Sequence, residues 1–128
     1  MTLELAIRRA ELLMPGTKAP KRKRDPVWQA IIKVSMFIET NPKEMWDFIS
    51  KWGRSDSENV RTAIATLVLE HFLEFYFDDY FPLVEELVKS DRNFADTFSR
   101  CWKFGKSELP ENAARFDRLQ QFCSPGAG

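Results

Sequence analysis

The chain has 128 residues, 44% of them hydrophobic and 13% aromatic, enough to bury one core and the ordinary size of a single domain. Lysine and arginine balance aspartate and glutamate at 19 each, so the field of the whole molecule gives no reason to expect a general polyanion binder. Two cysteines, Cys101 and Cys123, exclude a disulfide framework. No apolar run approaches the ~20 residues of a membrane span, and charges at Glu4, Arg8 and Arg9 fall where a signal peptide needs an unbroken apolar core. The expectation is a cytoplasmic protein with reduced thiols and no membrane contact.

In chain order, residues 1–14 place Leu3, Ile7, Ala10 and Met14 at helical spacing, and Pro15-Gly16 stops that helix; residues 1–16 read as an N-terminal docking helix. Residues 17–24, TKAPKRKR, hold five basic charges from Lys18 on and no apolar side chain larger than alanine, the composition of a solvated basic linker. Asp25-Pro26 is a strong helix start, followed by a stripe of Val27, Ile31, Val34 and Ile38. Asn41-Pro42 repeats the signal, with Glu44 completing a capping box, and Met45, Trp46, Phe48, Ile49 and Trp52 fill a short helix before Gly53.

Ser55 and Glu58 are spaced as a further capping box for the longest helix, whose inner row is predicted as Val60, Ile64, Leu67, His71 and Phe75, with Ala63, Val68 and Phe72 beside it. Asp78-Asp79 reads as the restart of a helix carrying Leu83, Val84, Leu87 and Val88. Ser90-Asp91 caps the next, with Phe94, Phe98, Cys101 and Trp102 inward and Gly105 at its end. A last helix from Pro110 to about Phe122 turns Ala113, Phe116, Leu119 and Phe122 inward, and residues 124–128 read as a disordered tail. No stretch alternates as a strand would.

Val27, Val60 and Phe94 each follow a cap and open an inward stripe, at steps of 33 and 34 residues, the spacing of stacked helix-pair repeats. The octet from Asp56 through Val60-Arg61 to Ala63 resembles the HEAT repeat pattern, in which Asp caps the second helix, Val packs inward, Arg closes the turn and Ala permits close helix contact. The resemblance implies an all-α fold of the armadillo type: stacked antiparallel helix hairpins in a short HEAT-like α-α superhelix over residues 25–123. A four-helix bundle of the same helices is the structural rival. Trp52-x-x-Ser55-Asp56 followed by Val60-Arg61 is also similar to the spacing in HEAT-like DNA alkylation repair glycosylases, which implies a basic groove holding a damaged nucleotide, with Trp52 and Arg61 in it.

Chemistry has few candidates. His71 is the one histidine, so neither a histidine metal pair nor a Ser-His-Asp triad can form within one chain; on the inner row it reads as a core or groove residue. Neither cysteine has a nucleophile's signature and no glycine-rich phosphate loop occurs, so no catalytic residue, cofactor or metal is assigned. Glu70, Glu74, Asp78, Asp79, Glu85 and Glu86 lack EF-hand spacing and read as a solvated face. Lys21, Arg22, Lys23 and Arg24 offer a salt-sensitive phosphate contact or a plain linker.

Together these readings predict a non-enzymatic module that binds a protein or peptide, with Lys21 to Arg24, Trp52, Arg61 and His71 as candidate contacts. A nucleic-acid binder related to the alkylation repair glycosylases is the alternative. Residues 1–61 carry 12 basic and 8 acidic side chains and residues 62–128 carry 7 and 11, a polarity that also suggests weak homodimerisation.

Overall fold

The computed structural model describes residues 2–14 and 25–123; the expected basic linker, with Lys21 to Arg24, and the expected tail lie outside them. Every regular element among the described residues is helical: α1 (Leu3–Leu13), α2 (Pro26–Ser35), α3 (Pro42–Trp52), α4 (Glu58–Ala63), a π-helical segment (Ile64–Leu69), α5 (Glu70–Ser90), α6 (Arg92–Ser99), a 3₁₀ turn (Gly105–Glu108) and α7 (Pro110–Cys123). None of these helices is long and apolar enough to cross a membrane. α4, the π segment and α5 follow one another directly, with a kink inside α5, and this central helix is packed on by α2, α3 and α6, with α1 against α2 and α7 against α5 and α6.

Local chemistry sets the helix starts. The Asp25 carboxylate accepts from the Val27 amide at 2.8 Å, the Ser57 hydroxyl from Val60 at 3.3 Å and the Asp91 carboxylate from Phe94 at 2.9 Å, each satisfying an amide the first helical turn leaves free. The residue whose amide each cap accepts, Val27, Val60 or Phe94, is fully buried. Two expected capping boxes are absent. Asn41 makes no side-chain cap because its oxygen accepts from the Thr40 hydroxyl at 2.7 Å instead. Ser55 accepts from the Ser57 amide at 3.1 Å, which moves the cap of α4 two residues along to Ser57 and frees Asp56 for another partner.

That partner belongs to a repeated clamp. The Asn59 amide donates to the second Asp25 oxygen at 2.8 Å, and Asn93, 34 positions later, donates to Asp56 at 3.0 Å and to the Arg54 carbonyl at 3.2 Å. Each asparagine immediately precedes a fully buried residue of its helix; Asn59 ties α4 to the Asp25 cap of α2, and Asn93 ties α6 to Asp56 in the loop before α4. Asn59 also accepts from the Trp28 indole at 2.9 Å. At the other end of α3, Gly53 is required by close approach: a Cβ there would sit 2.8 Å from the Phe94 ring, and the Thr97 hydroxyl donates to the Gly53 carbonyl at 2.6 Å.

The central helix departs most from a uniform periodicity. Its π segment closes i→i+5 bonds and so takes one more residue per turn than an α-helix, which moves the buried stripe one position along the chain. Val60, Ile64, Val68 and Phe72 are fully buried, whereas the expected continuation through Leu67, His71 and Phe75 is half-buried to exposed. Further on, Tyr76 leaves helical geometry (φ −125°, ψ 31°), a kink six residues before Pro82, whose ring has no amide to donate. The expected restart at Asp78-Asp79 is therefore a bend at Tyr76, pinned where the Tyr76 hydroxyl donates to the Glu39 carbonyl at 2.6 Å.

Beyond the bend, Phe77 and Phe81 stack with ring centres 4.3 Å apart, and Phe81 meets Phe98 and Phe116 at 6.0 and 6.4 Å, joining α5, α6 and α7. Each such fully buried side chain contributes ~1.5–3 kcal/mol by removal from water. Two further side chains expected inside lie outside: Trp102 is 71% exposed and Phe122 49%. α6 ends at Ser99, so Trp102 lies past the helix, and Phe122 falls in the last turn of α7, where no further element among the described residues covers it.

Ala63 is fully buried on the central helix. Replacing it with Leu is expected to destabilise the fold by ~1–3 kcal/mol through overpacking; chemical denaturation of the variant checks this, and an unchanged midpoint would mean that the helices around Ala63 are not in close contact.

Candidate functional site

The one-residue shift at the π segment leaves Leu67, His71 and Phe75 along one edge of the central helix, facing the turn after α2. Between them lies a cleft of about 360 Å³ lined by Ser35, Met36, Ile38 and Glu39 on one side and Leu67, His71, Glu74 and Phe75 on the other. Met36 is 78% exposed and Phe75 36%, large apolar groups that water-facing positions of a helical protein do not need.

His71 is held from three directions. Its Nδ1 lies 3.3 Å from a Glu74 oxygen and its Nε2 3.6 Å from a Glu70 oxygen, and its ring stacks on Phe104 with centres 5.2 Å apart and planes 22° apart. Phe104 reaches that position because the next residue, Gly105, takes a left-handed φ of 51° and packs against the Glu74 backbone, where a side chain would collide. Glu70 is buried, and one of its oxygens accepts the Trp102 amide at 3.0 Å. Burial pushes its carboxyl above the usual range, an effect that the Trp102 hydrogen bond and the neighbouring His71 offset only in part.

Trp52 and Arg61, the other predicted contacts among the described residues, are spent elsewhere and share no partner with this cleft. The Trp52 indole donates at 2.9 Å to Glu11, which also takes Lys51 at 3.0 Å, with the Lys51 ammonium 5.2 Å above the Trp52 ring. Burial acts to raise the Glu11 carboxyl, but the bonds from Trp52 and Lys51 outweigh it and hold the group low; Trp52 thus docks α1. Arg61 donates to the Ser55 and Asp56 carbonyls, both at 3.0 Å, and to Asp96 at 2.8 Å. Asp96 takes Arg100 as well at 3.0 Å; against the upward pull of burial, these two guanidinium partners keep its carboxyl below the usual range. Arg61 closes the turn before α4 and ties it to α6.

The Cys101 thiol is buried against the Ala65 carbonyl at 3.5 Å, with its pKa pushed up by that burial, and burial likewise raises Cys123 to about 11, so neither is an activated nucleophile. Among the described residues no group of three or more His, Cys, Asp and Glu side chains is placed to hold a metal ion. Sequence periodicity alone missed Met36, Glu74 and Phe104: the first follows the end of α2, and the other two join the site through the π shift and the left-handed Gly105. No protein-family model matches the chain, and no curated protein or solved structure matches it either.

Glu70 gives this geometry a pH signature. Its folded carboxyl lies above its unfolded value, so the folded state binds the extra proton and this group's contribution to stability declines as pH rises from the ordinary glutamate range through the folded value. The Glu70→Gln variant keeps an acceptor for the Trp102 amide without the buried charge. Urea unfolding from about pH 4 to pH 7 is expected to show the variant gaining on the wild type as pH rises, whereas a constant difference would mean that Glu70 is not desolvated.

Proposed function

We propose that the protein is a small helical-repeat interaction module without catalysis of its own, and that the cleft between the turn after α2 and the Leu67–His71–Phe75 edge receives a peptide or a segment of a partner protein. The observation that carries this reading is the gathering of Met36, Phe75 and a His71 ring held by stacking on Phe104 around one cleft bordered by Glu39 and Glu74. Aromatic and long apolar groups of this kind, ringed by polar ones, are what interface hot spots use.

The repeat character, of the HEAT-like stacked type, is supported by the equivalence of Val27, Val60 and Phe94 as buried residues behind side-chain caps, and by the Asn59 and Asn93 clamps at a 34-residue interval. Repeats of this length bury their apolar faces only against one another, and concave faces of such stacks bind extended partners. A cytoplasmic location goes with this reading, since Cys101 and Cys123 are both free thiols. The nucleic-acid alternative rests on Trp52 and Arg61, which are engaged internally with Glu11 and with Asp96 and two backbone carbonyls, so the interaction reading is the one put forward.

A displayed random-peptide library selected on the full chain provides ligands for the test. The selected peptides are expected to shift backbone signals of residues 67–75 and 36–39 in NMR titrations and to bind about tenfold or more weakly, ~1.4 kcal/mol, to Met36→Ser and Phe75→Ser, which alter exposed groups. Peptides whose affinity ignores both substitutions would sink this site, and duplex DNA binding with micromolar affinity near physiological salt would promote the nucleic-acid reading.

A further inference from the structure

A second groove, built from residues that the cleft does not use, lies between the C-terminal turns of α5 and α7. It encloses about 340 Å³ and is lined by Glu85, Lys89, Arg115, Arg118, Leu119 and Phe122. Residues 62–128 are acidic on balance, with 7 basic side chains against 11 acidic, yet three of those basic side chains meet here. Arg118 and Lys89 are exposed and have no ion-pair partner among the described residues.

Arg115 is fixed in advance. Its guanidinium lies 5.0 Å from the centre of the Phe81 ring and 5.6 Å from that of Phe77, both fully buried, and donates to Glu85 at 3.0 Å. A planar fork held on an aromatic floor loses little freedom when it meets a carboxylate. Phe122, half exposed in the last turn of α7, and Leu119 beneath it supply an apolar wall beside the three cations.

We infer that this groove docks an acidic amphipathic segment of a partner protein, with an Asp or Glu carboxylate meeting Arg115, Arg118 and Lys89 and a neighbouring apolar side chain covering Phe122. Charge complementarity selects the carboxylate, and the wall selects the apolar neighbour. A free inorganic anion would satisfy the cations and leave Phe122 in water. A nucleic-acid backbone needs a continuous positive track, which Glu85 interrupts inside the groove.

The test titrates the full chain with a panel of synthetic peptides carrying Glu or Asp beside Leu or Phe, with the same peptides bearing Lys for each acid, and with inorganic phosphate alone. The readouts are calorimetry and the NMR signals of the arginine Nε–H groups. Acidic peptides are expected to bind, to weaken as salt rises, and to lose about tenfold or more in affinity for the Lys89→Gln/Arg118→Gln variant and for Phe122→Ser. These substitutions touch exposed side chains, and an unchanged melting curve confirms that the fold is kept. The proposal is overturned if no acidic peptide binds up to about 1 mM, if the Lys-bearing peptides bind equally well, or if the variants keep full affinity. Phosphate shifting the same arginines as strongly as the peptides, with Phe122→Ser without effect, also overturns it and leaves a simple anion site.

Discussion

Six residues in the middle of the most buried helix, Ile64–Leu69, are wound with hydrogen bonds five residues apart, and the one extra residue sets the facing of everything after it. Before the segment, Val60 and Ile64 point into the core; after it, Val68 and Phe72 do so. Had the helix stayed α throughout, His71 and Phe75 would lie on the inner row and Phe72 at its margin. With the π turn, the core receives a phenylalanine and the edge of the helix keeps a histidine, an exposed phenylalanine and the glutamates on either side of His71. A π segment is a local departure that costs hydrogen-bond geometry, and such segments are frequent at functional sites. Here it converts what would be a core row into the rim of a cleft.

The elements around that helix are held by two kinds of interaction of different weight. Fully buried phenylalanines of α5, α6 and α7 supply most of the stabilisation, since each is worth several times a single hydrogen bond. The polar clamps, Asn59 to Asp25 and Asn93 to Asp56, contribute on the order of 1 kcal/mol apiece but fix the register of one helix pair on the next, which apolar packing alone specifies poorly. Arg61 adds a third tie by bonding two carbonyls in its own turn and Asp96 of the following helix. Because Trp52 and Arg61 are committed to these ties, the groups left to meet another molecule are those at the cleft rim and in the α5–α7 groove.

Much of the helical order was legible in the sequence. Asp25-Pro26, Asn41-Pro42 and Asp91 begin helices for local reasons that need no tertiary knowledge, and the recurrence of Val27, Val60 and Phe94 marks the spacing that the asparagine clamps then use. What could not be read has identifiable causes. A π turn leaves no signature in a 3.6-residue periodicity, so His71 was assigned to the inner row one position too early. Ser55 and Ser57 are both competent caps, and the choice between them depends on Arg61 and Asn93 reaching back to the same loop. The inward assignment of Trp102 presumed a helix three residues longer than α6, and Phe104 comes to His71 through a left-handed glycine contacting a helix 31 positions earlier, a long-range fact no local pattern carries.

The facing of the central helix is testable by thiol accessibility. In a Cys123→Ser background, where buried Cys101 remains inert, single variants His71→Cys, Phe75→Cys, Val68→Cys and Phe72→Cys would be labelled with a maleimide under native conditions. The account predicts rapid labelling of the variants at 71 and 75 and protection of those at 68 and 72 until the protein unfolds. Rapid labelling at 68 and 72 with protection at 71 and 75 would contradict it, because it would return the helix to an unbroken α register and close the cleft.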